Sequence, residues 1–239
     1  METSLYKRDL MSFFYSNSVY AVFGVYALLS MIMTFFWGMY FVDDNLAMMS
    51  FFTYQPQILA MIIPAITMRC WAEEKKSGTI ENLLTFPITS WNLVFSKFLA
   101  MFTIAVMMLL FSVPLLLTTT IYVPLDWGNI LSAYIGLVSV IGALTAVGCL
   151  FSALVSIPAV AYLSGLLVGV LWVNLKWGYW VTRWWKNMPF YFDGVLNFDD
   201  NYQNFCNGQF NPAGMIYFVS VAVLLLFFNW LVVASWRTK

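Results

Sequence analysis

The sequence concentrates its charged side chains in one short stretch, residues 69–81, where two adjacent carboxylates, Glu73 and Glu74, stand among basic residues. Adjacent carboxylates can serve as acid and base or bind a metal ion, but membrane proteases of that kind add histidine ligands, as in H-E-x-x-H. The sequence contains no histidine and no G-x-x-x-x-G-K-[ST] phosphate loop. We therefore expect no catalytic residue, no metal ligand and no cofactor bound by this chain. The charged stretch instead favours contact with another protein.

The rest of the sequence has the composition of a membrane protein. Hydrophobic residues make up 62% and charged residues 9% of the chain, against about 25% charged residues in a soluble domain. Long runs without a formal charge supply the roughly 20 apolar residues that a spanning helix needs. We predict an all-α integral membrane protein, a single domain over residues 1–239, with six transmembrane helices near Val19–Phe41, Phe51–Met68, Phe98–Tyr122, Asn129–Val155, Ala159–Leu175 and Ala213–Ser235.

The distribution of lysine and arginine predicts the orientation, because these residues are enriched in short cytoplasmic loops. With the N-terminus inside, most basic residues are cytoplasmic, and both termini lie there. No acidic residue falls inside a predicted span, which disfavours a proton-coupled transporter. Cys70, Cys149 and Cys206 fall in an inner loop, a span and an outer loop, so no pair is expected to form a disulfide.

The charged stretch continues into a predicted short helix in the cytoplasmic loop, residues 69–97. Gly78 can serve as its N-cap with Glu81 three residues later, and Pro87 ends it. Ile80, Leu83 and Leu84 then share one face at helical spacing. We expect an amphipathic helix of about two turns across the cytoplasmic mouth; the alternative is a solvated loop with a membrane-surface helix.

Two further segments are amphipathic. In residues 1–18, apolar side chains recur at helical spacing beside two cations, which predicts a helix along the inner leaflet that contacts anionic lipid; its residues are Tyr6, Lys7, Arg8, Leu10, Phe13 and Phe14. In the outer segment, residues 176–212, Trp177, Trp180 and Trp184 fall on one helical face. Tryptophan favours the membrane interface, so an ordinary interfacial belt explains this face as well as a specialised role does.

The charged stretch and its flanks resemble the first cytoplasmic loop of type-2 ABC transporter permeases, especially the small gliding-motility and nitrous-oxide-reductase-maturation branch. The family pattern E-x-x-x-G-[ST]-[IL]-E-x-L-L-x-x-P matches Glu74, Gly78, Thr79, Ile80, Glu81, Leu83, Leu84 and Pro87. This resemblance implies a coupling helix that docks on a separate ATP-binding cassette ATPase, which binds ATP and Mg. Glu73 and Glu74 are expected to pair with basic residues of that ATPase, or with Lys75 and Lys76.

The resemblance also implies a setting for the other segments. Residues 1–18 correspond to a connecting helix beside the ATPase contact. Short outer re-entrant or interfacial helices would form an external gate, or a surface for an extracytoplasmic partner, with candidate residues Trp177, Trp180, Trp184 and Trp185. The chain would work in a bacterial cytoplasmic (inner) membrane as a homodimer or as a heterodimer with a related permease.

The expected function is therefore movement of a substrate, as export, across that membrane, with no nucleic-acid partner. Two alternatives stay open. One is a non-transporting anchor of an ATPase-driven machine, such as a gliding or envelope complex, and the other is a secondary carrier. The absence of an internal repeat and of buried ionisable residues disfavours the carrier.

Overall fold

The protein is described by a computed structural model that covers residues 2–37, 47–84, 89–114, 116–117, 126–174 and 197–237. Within these ranges it is all-helical and contains no strand. A π-helical turn, Met33–Trp37, directly follows the α-helix Asn17–Ile32, and a 3-10 turn, Leu110–Ser112, directly follows the α-helix Ser90–Leu109. The α-helices are α1 Glu2–Phe14, α2 Asn17–Ile32, α3 Ala47–Thr67, α4 Ala72–Ser77, α5 Thr79–Leu84, α6 Ser90–Leu109, α7 Trp127–Leu154, α8 Pro158–Asn174, α9 Phe198–Cys206 and α10 Pro212–Arg237.

Four helical segments are long and apolar enough to cross a membrane: Phe51–Ser77, Ser90–Ser112, Trp127–Leu154 and Pro212–Arg237. A fifth candidate is the bent pair Leu5–Phe14 and Val19–Phe35, whose axes diverge by 69°. Helix α8 is apolar but has only 17 residues. The described part of the chain therefore holds four or five candidate spans of a multi-pass membrane protein. By helix length and composition, this number is lower than the six spans predicted from the sequence.

Helix α7 is at the centre of the bundle, where it packs against α3, α6, α8 and α10. Small residues allow these close approaches, because helices in lipid approach best where side chains are smallest. A Cβ atom added to Gly148 of α7 would stand 2.8 Å from Thr67 Cβ, and one added to Gly165 of α8 would stand 3.3 Å from Pro64 Cβ. The glycines thus set the spacing of α3, α7 and α8.

Two helix boundaries are informative when compared with the sequence prediction. The break between α7 and α8 occurs where it was predicted, with Pro158 as the first residue of α8. Helix α6, by contrast, begins at Ser90 rather than near Phe98, and the Thr89 hydroxyl caps it by accepting from the Asn92 N–H at 3.4 Å. The prediction treated Lys97 as the boundary of the apolar run, but Lys97 is buried inside α6.

The bundle has two chemically different ends. We call the end that holds α1, α4, α5 and the start of α6 the charged end. Every lysine and arginine that the structure describes lies there: Lys7, Arg8, Arg69, Lys75, Lys76, Lys97 and Arg237. The opposite end carries α9 and the start of α7, with Asp126, Asp199 and Asp200.

Candidate functional site

The charged stretch of the sequence folds into two short helices, α4 and α5, which together with the preceding turn form the α4–α5 loop, residues 69–84. Gly78 separates them in a left-handed conformation, with φ of 71°, and its N–H bonds to the Lys75 carbonyl at 3.3 Å. Glycine takes this conformation without steric cost. The predicted helix after Gly78 is present and is described as far as Leu84. Gly78 also ends a preceding helix, α4, which the sequence analysis did not predict. Pro87 lies outside the described residues.

One side of the α4–α5 loop is exposed and polar. Glu73 has 59% of its side chain exposed, at 4.0 Å from Arg69. Ser77 and Thr79 share a hydroxyl hydrogen bond of 2.9 Å, and Glu81 is exposed beside them. Ile80 is half-buried and packs against the core, which fits the predicted apolar side of α5; the side chains of Leu83 and Leu84 are outside the description. This side therefore presents carboxylates and hydroxyls at the surface of the described structure.

The other side of the loop is fixed by a buried lysine. Lys97 of α6 has 3% of its side chain exposed, and its ammonium donates to Glu74 Oε1 at 2.8 Å and to the Cys70 carbonyl at 2.9 Å. An unpaired charge in such a position is strongly unfavourable, so these partners determine where the side chain can lie. Glu74 therefore pairs with Lys97 rather than with Lys75 or Lys76, one of the two alternatives expected for it, because its carboxylate faces inward to α6. The other alternative, pairing with basic residues of an ATPase, stays a prediction.

Helix α1 joins the same group of charges. Asp9 is buried, with Oδ2 at 3.6 Å from Lys97 Nζ, and Arg8 bonds to Asp9 Oδ1 at 2.8 Å and approaches Glu74 Oε1 at 3.6 Å. The group holds two cations and two carboxylates, and is neutral in sum. We call Arg8, Asp9, Glu74 and Lys97 the ion network. It brings together α1, α4 and α6.

Ser152, near the end of α7, holds the backbone of the loop. Its hydroxyl accepts from the Trp71 and Ala72 N–H groups at 3.0 and 3.1 Å, and donates to the Met68 carbonyl at 3.1 Å. The N–H groups at a helix start have no partner within the helix. One buried side chain therefore supplies the start of α4 with its missing acceptor and connects it to α7.

Two indole rings connect the loop to α10. Trp71 is fully buried and meets Trp236 edge to face, with ring centroids 5.5 Å apart. Lys75 lies over the Trp236 ring at 4.1 Å and donates to the Ala153 carbonyl. Cations over indole faces are attracted by the ring quadrupole. The α4–α5 loop thus contacts α1, α6, α7 and α10.

The predicted membrane-surface helix, α1, packs along α6. Tyr6 bonds to Thr103 at 3.1 Å through its hydroxyl, and Phe13 is buried, with Leu10 and Phe14 half-buried beside it. Lys7 is exposed, whereas Arg8 belongs to the ion network. Part of the apolar face therefore contacts protein rather than lipid.

The proposed outer gate cannot be placed, because Trp177, Trp180, Trp184 and Trp185 all lie outside the described residues. The neighbouring helix α9 is described, and it is packed into the opposite end of the bundle. Tyr202 donates to the Phe52 carbonyl at 2.7 Å, and the ring of Phe198 stands 5.2 Å from Trp172.

The three cysteines are buried free thiols. Cys70 and Cys149 lie close together, although their sequence positions gave no sign of proximity. This contact is a further link between the α4–α5 loop and α7.

Sequence reasoning missed the residues that hold the loop: Asp9, Trp71, Lys97, Ser152 and Trp236. One signal was available for Asp9, since it falls on the same helical face as Tyr6 and Phe13, where a carboxylate is unexpected. For the others the partners are distant in sequence, and no local pattern marks them.

Comparison with known protein families gives a match. Residues 8–176 match the model of the family described as ABC-2 family transporter protein. The matched range begins within α1 and ends just after α8, so it includes the whole α4–α5 loop and the ion network. No curated protein matches the chain.

Proposed function

The chain belongs to the ABC-2 family of transporter proteins, and on this basis we propose that it is a permease subunit that exports its substrate when a separate ATPase pushes on the α4–α5 loop. Such a permease pairs in general with an ATP-binding cassette subunit.

The observation that carries the proposal is the two-sided character of the α4–α5 loop. Its exposed side offers Glu73, Thr79 and Glu81 to a partner, while its buried side contacts four other helices. A loop that serves only as a connection has no need of such fixation. A push on this loop would be transmitted to the bundle, because packed helices shift as units rather than deform continuously.

The distribution of charge supports the orientation of the proposal. The described lysines and arginines all lie at the charged end, and basic residues favour the cytoplasmic side. In the proposed arrangement both termini and the α4–α5 loop are therefore cytoplasmic, in a bacterial inner membrane. Six spans follow if α2 with its π-helical continuation, α3, α6, α7, α8 and α10 all cross; α8, at roughly 25 Å, is then the shortest.

The proposed assembly has two permeases, either two copies of this chain or this chain with a related one, and two ATPase subunits. ATP and Mg bind to the ATPase, and this chain contributes no catalytic group and no cofactor. The outer segment that contains Trp177 and Trp184 remains the proposed gate or the surface for an extracytoplasmic partner.

The test is a pull-down in mild detergent from the native membrane, with mass spectrometry and an ATPase assay of the eluate. We expect a stoichiometric ATPase with the wild-type chain. Glu81→Lys should cost about 2 kcal/mol of binding, a roughly 30-fold loss of affinity, because it reverses an exposed charge on the proposed docking side of the loop. Leu84→Asp, which changes a position of the family's coupling-helix pattern, should cost a similar amount.

The matched control is Asp126→Asn, which removes a carboxylate at the opposite end while asparagine keeps the helix cap. It should retain the ATPase. Recovery of the chain without any ATPase would contradict the proposal and favour a secondary carrier. An ATPase that is retained by a chain without transport activity would favour the membrane anchor.

A further inference from the structure

Lys97 has a position that the docking surface alone does not explain. It lies two turns into α6, a candidate span, and only 3% of its side chain is exposed. Lysines near the ends of membrane helices usually extend toward water. Here the ammonium turns instead toward α1 and α4, beneath the loop.

The contacts of Lys97 join three elements. Its ammonium lies 2.8 Å from Glu74 Oε1 of α4 and 3.6 Å from Asp9 Oδ2 of α1, and it stands 4.9 Å from the Trp71 ring. Arg8 also contacts both carboxylates, but it belongs to the same helix as Asp9 and is half-exposed. Lys97 is thus the member of the ion network that helix α6 provides.

The charge balance of the ion network depends strongly on Lys97. Asp9 Oδ2 and Glu74 Oε2 are buried without a hydrogen-bond donor among the described residues. Without Lys97, these two carboxylates would share a single cation, Arg8. Buried carboxylates that lose their cation are strongly destabilised where they stand, so α1 and α4 would move toward water.

We propose that Lys97 is a positioning residue that holds α1 and α4 to the start of α6, so that the three helices move as one body when the α4–α5 loop is pushed. This inference rests on the proposed function for the origin of the push. The attachment itself is a property of the free chain.

Two variants distinguish the attachment of α1 to α6 from a role of Lys97 in charge balance alone. Lys97→Met leaves two carboxylates against Arg8, whereas Lys97→Met combined with Asp9→Asn leaves Arg8 and Glu74 as a balanced pair without a link to α6. The measurement is hydrogen exchange of the α1 backbone amides in detergent micelles, read by mass spectrometry. Both variants should raise α1 exchange by at least about tenfold, while exchange in α7 stays unchanged.

The exposed Lys76, replaced by Met, is the matched control and should leave α1 exchange at the wild-type value. Wild-type exchange in the combined variant would mean that Lys97 only balances charge, and would overturn the proposal. Wild-type exchange in Lys97→Met would overturn it too. If Lys97→Met does not insert, the combined variant decides by itself.

A second readout follows the push. In the complex purified with its ATPase, both variants should keep the ATPase bound. The wild-type permease should change the rate of ATP hydrolysis by the ATPase, and both variants should lose most of this effect. An unaltered effect would overturn the transmission step. If the wild-type chain brings down no ATPase, the proposed function fails, whereas the exchange result still decides whether Lys97 attaches α1 to α6.

Discussion

Glu73 and Glu74 are adjacent in sequence but have opposite environments. Glu73 is mostly exposed near Arg69, whereas Glu74 faces inward to Lys97 and Arg8. The difference follows from the start of α4, since consecutive residues of a helix are about 100° apart around its axis. A charged stretch in a sequence therefore does not show which of its charges are available to a partner.

Ser152 provides a prediction at the level of one hydroxyl. Ser152→Ala removes the acceptor of the buried Trp71 and Ala72 N–H groups, which then have no partner. An unsatisfied buried group costs about 1–3 kcal/mol. We expect a lower thermal midpoint of the purified chain, measured with a thiol-reactive dye, because its cysteines are buried until unfolding.

Ser139 of the same helix is the matched control. Its hydroxyl bonds only within α7, to the Ile135 carbonyl, so Ser139→Ala should leave the midpoint close to the wild-type value. Equal midpoints for the two alanine variants would contradict the assigned role of Ser152.

At the scale of helices, the contact between α3 and α7 depends on a missing side chain. A Cβ atom at Gly148 would lie 2.8 Å from Thr67 Cβ and closer still to Thr67 Oγ1. Gly148→Ala should therefore force the helices apart and cost about 1–3 kcal/mol. The thermal midpoint measured with the same dye should fall.

Gly142, one and a half turns earlier in α7, is the appropriate comparison. A Cβ atom there would meet Phe102 Cε2 at 3.6 Å, an ordinary contact. Alanine is the better helix former, so Gly142→Ala should leave the midpoint unchanged or raise it. A similar decrease for both variants would mean that neither glycine sets the spacing.

The sequence predicts the long apolar helices within a few residues, since a continuous apolar run leaves few alternatives to a buried or lipid-facing helix. It fails at the start of α6, where a buried lysine resembles the end of a span, and at α4, which is too short for a periodic pattern. The partners of Lys97 and Ser152 lie in other helices, so their pairing is a property of the tertiary structure.

The whole molecule leads to a prediction about sidedness. Ser77→Cys places a thiol on the exposed side of the α4–α5 loop, and Gln209→Cys places one at the opposite end. In intact cells, a membrane-impermeant maleimide should label Gln209→Cys, and should label Ser77→Cys only after permeabilisation. The reverse pattern would contradict a cytoplasmic loop.

The native cysteines should not interfere with this labelling. Burial raises the pKa of Cys206 to about 11, so this thiol is protonated at neutral pH and reacts slowly with maleimides. Cys70 and Cys149 are also buried. The wild-type chain should therefore remain unlabelled in both preparations.

The contacts of the α4–α5 loop also have a consequence for the order of synthesis. Lys97, Ser152 and Trp236 all follow the loop in the chain, and Trp236 follows Trp71 by 165 residues. A ribosome that adds about 5–20 residues per second makes Trp236 roughly 10 to 30 s after Trp71. During this interval the chain gains the partners of the loop one after another: first Lys97 for Glu74, then Ser152 for the start of α4, and finally Trp236 for Trp71. The loop therefore reaches its final shape only when α10 has been made, which gives a newly made chain a surface that reports whether α10 has joined the bundle.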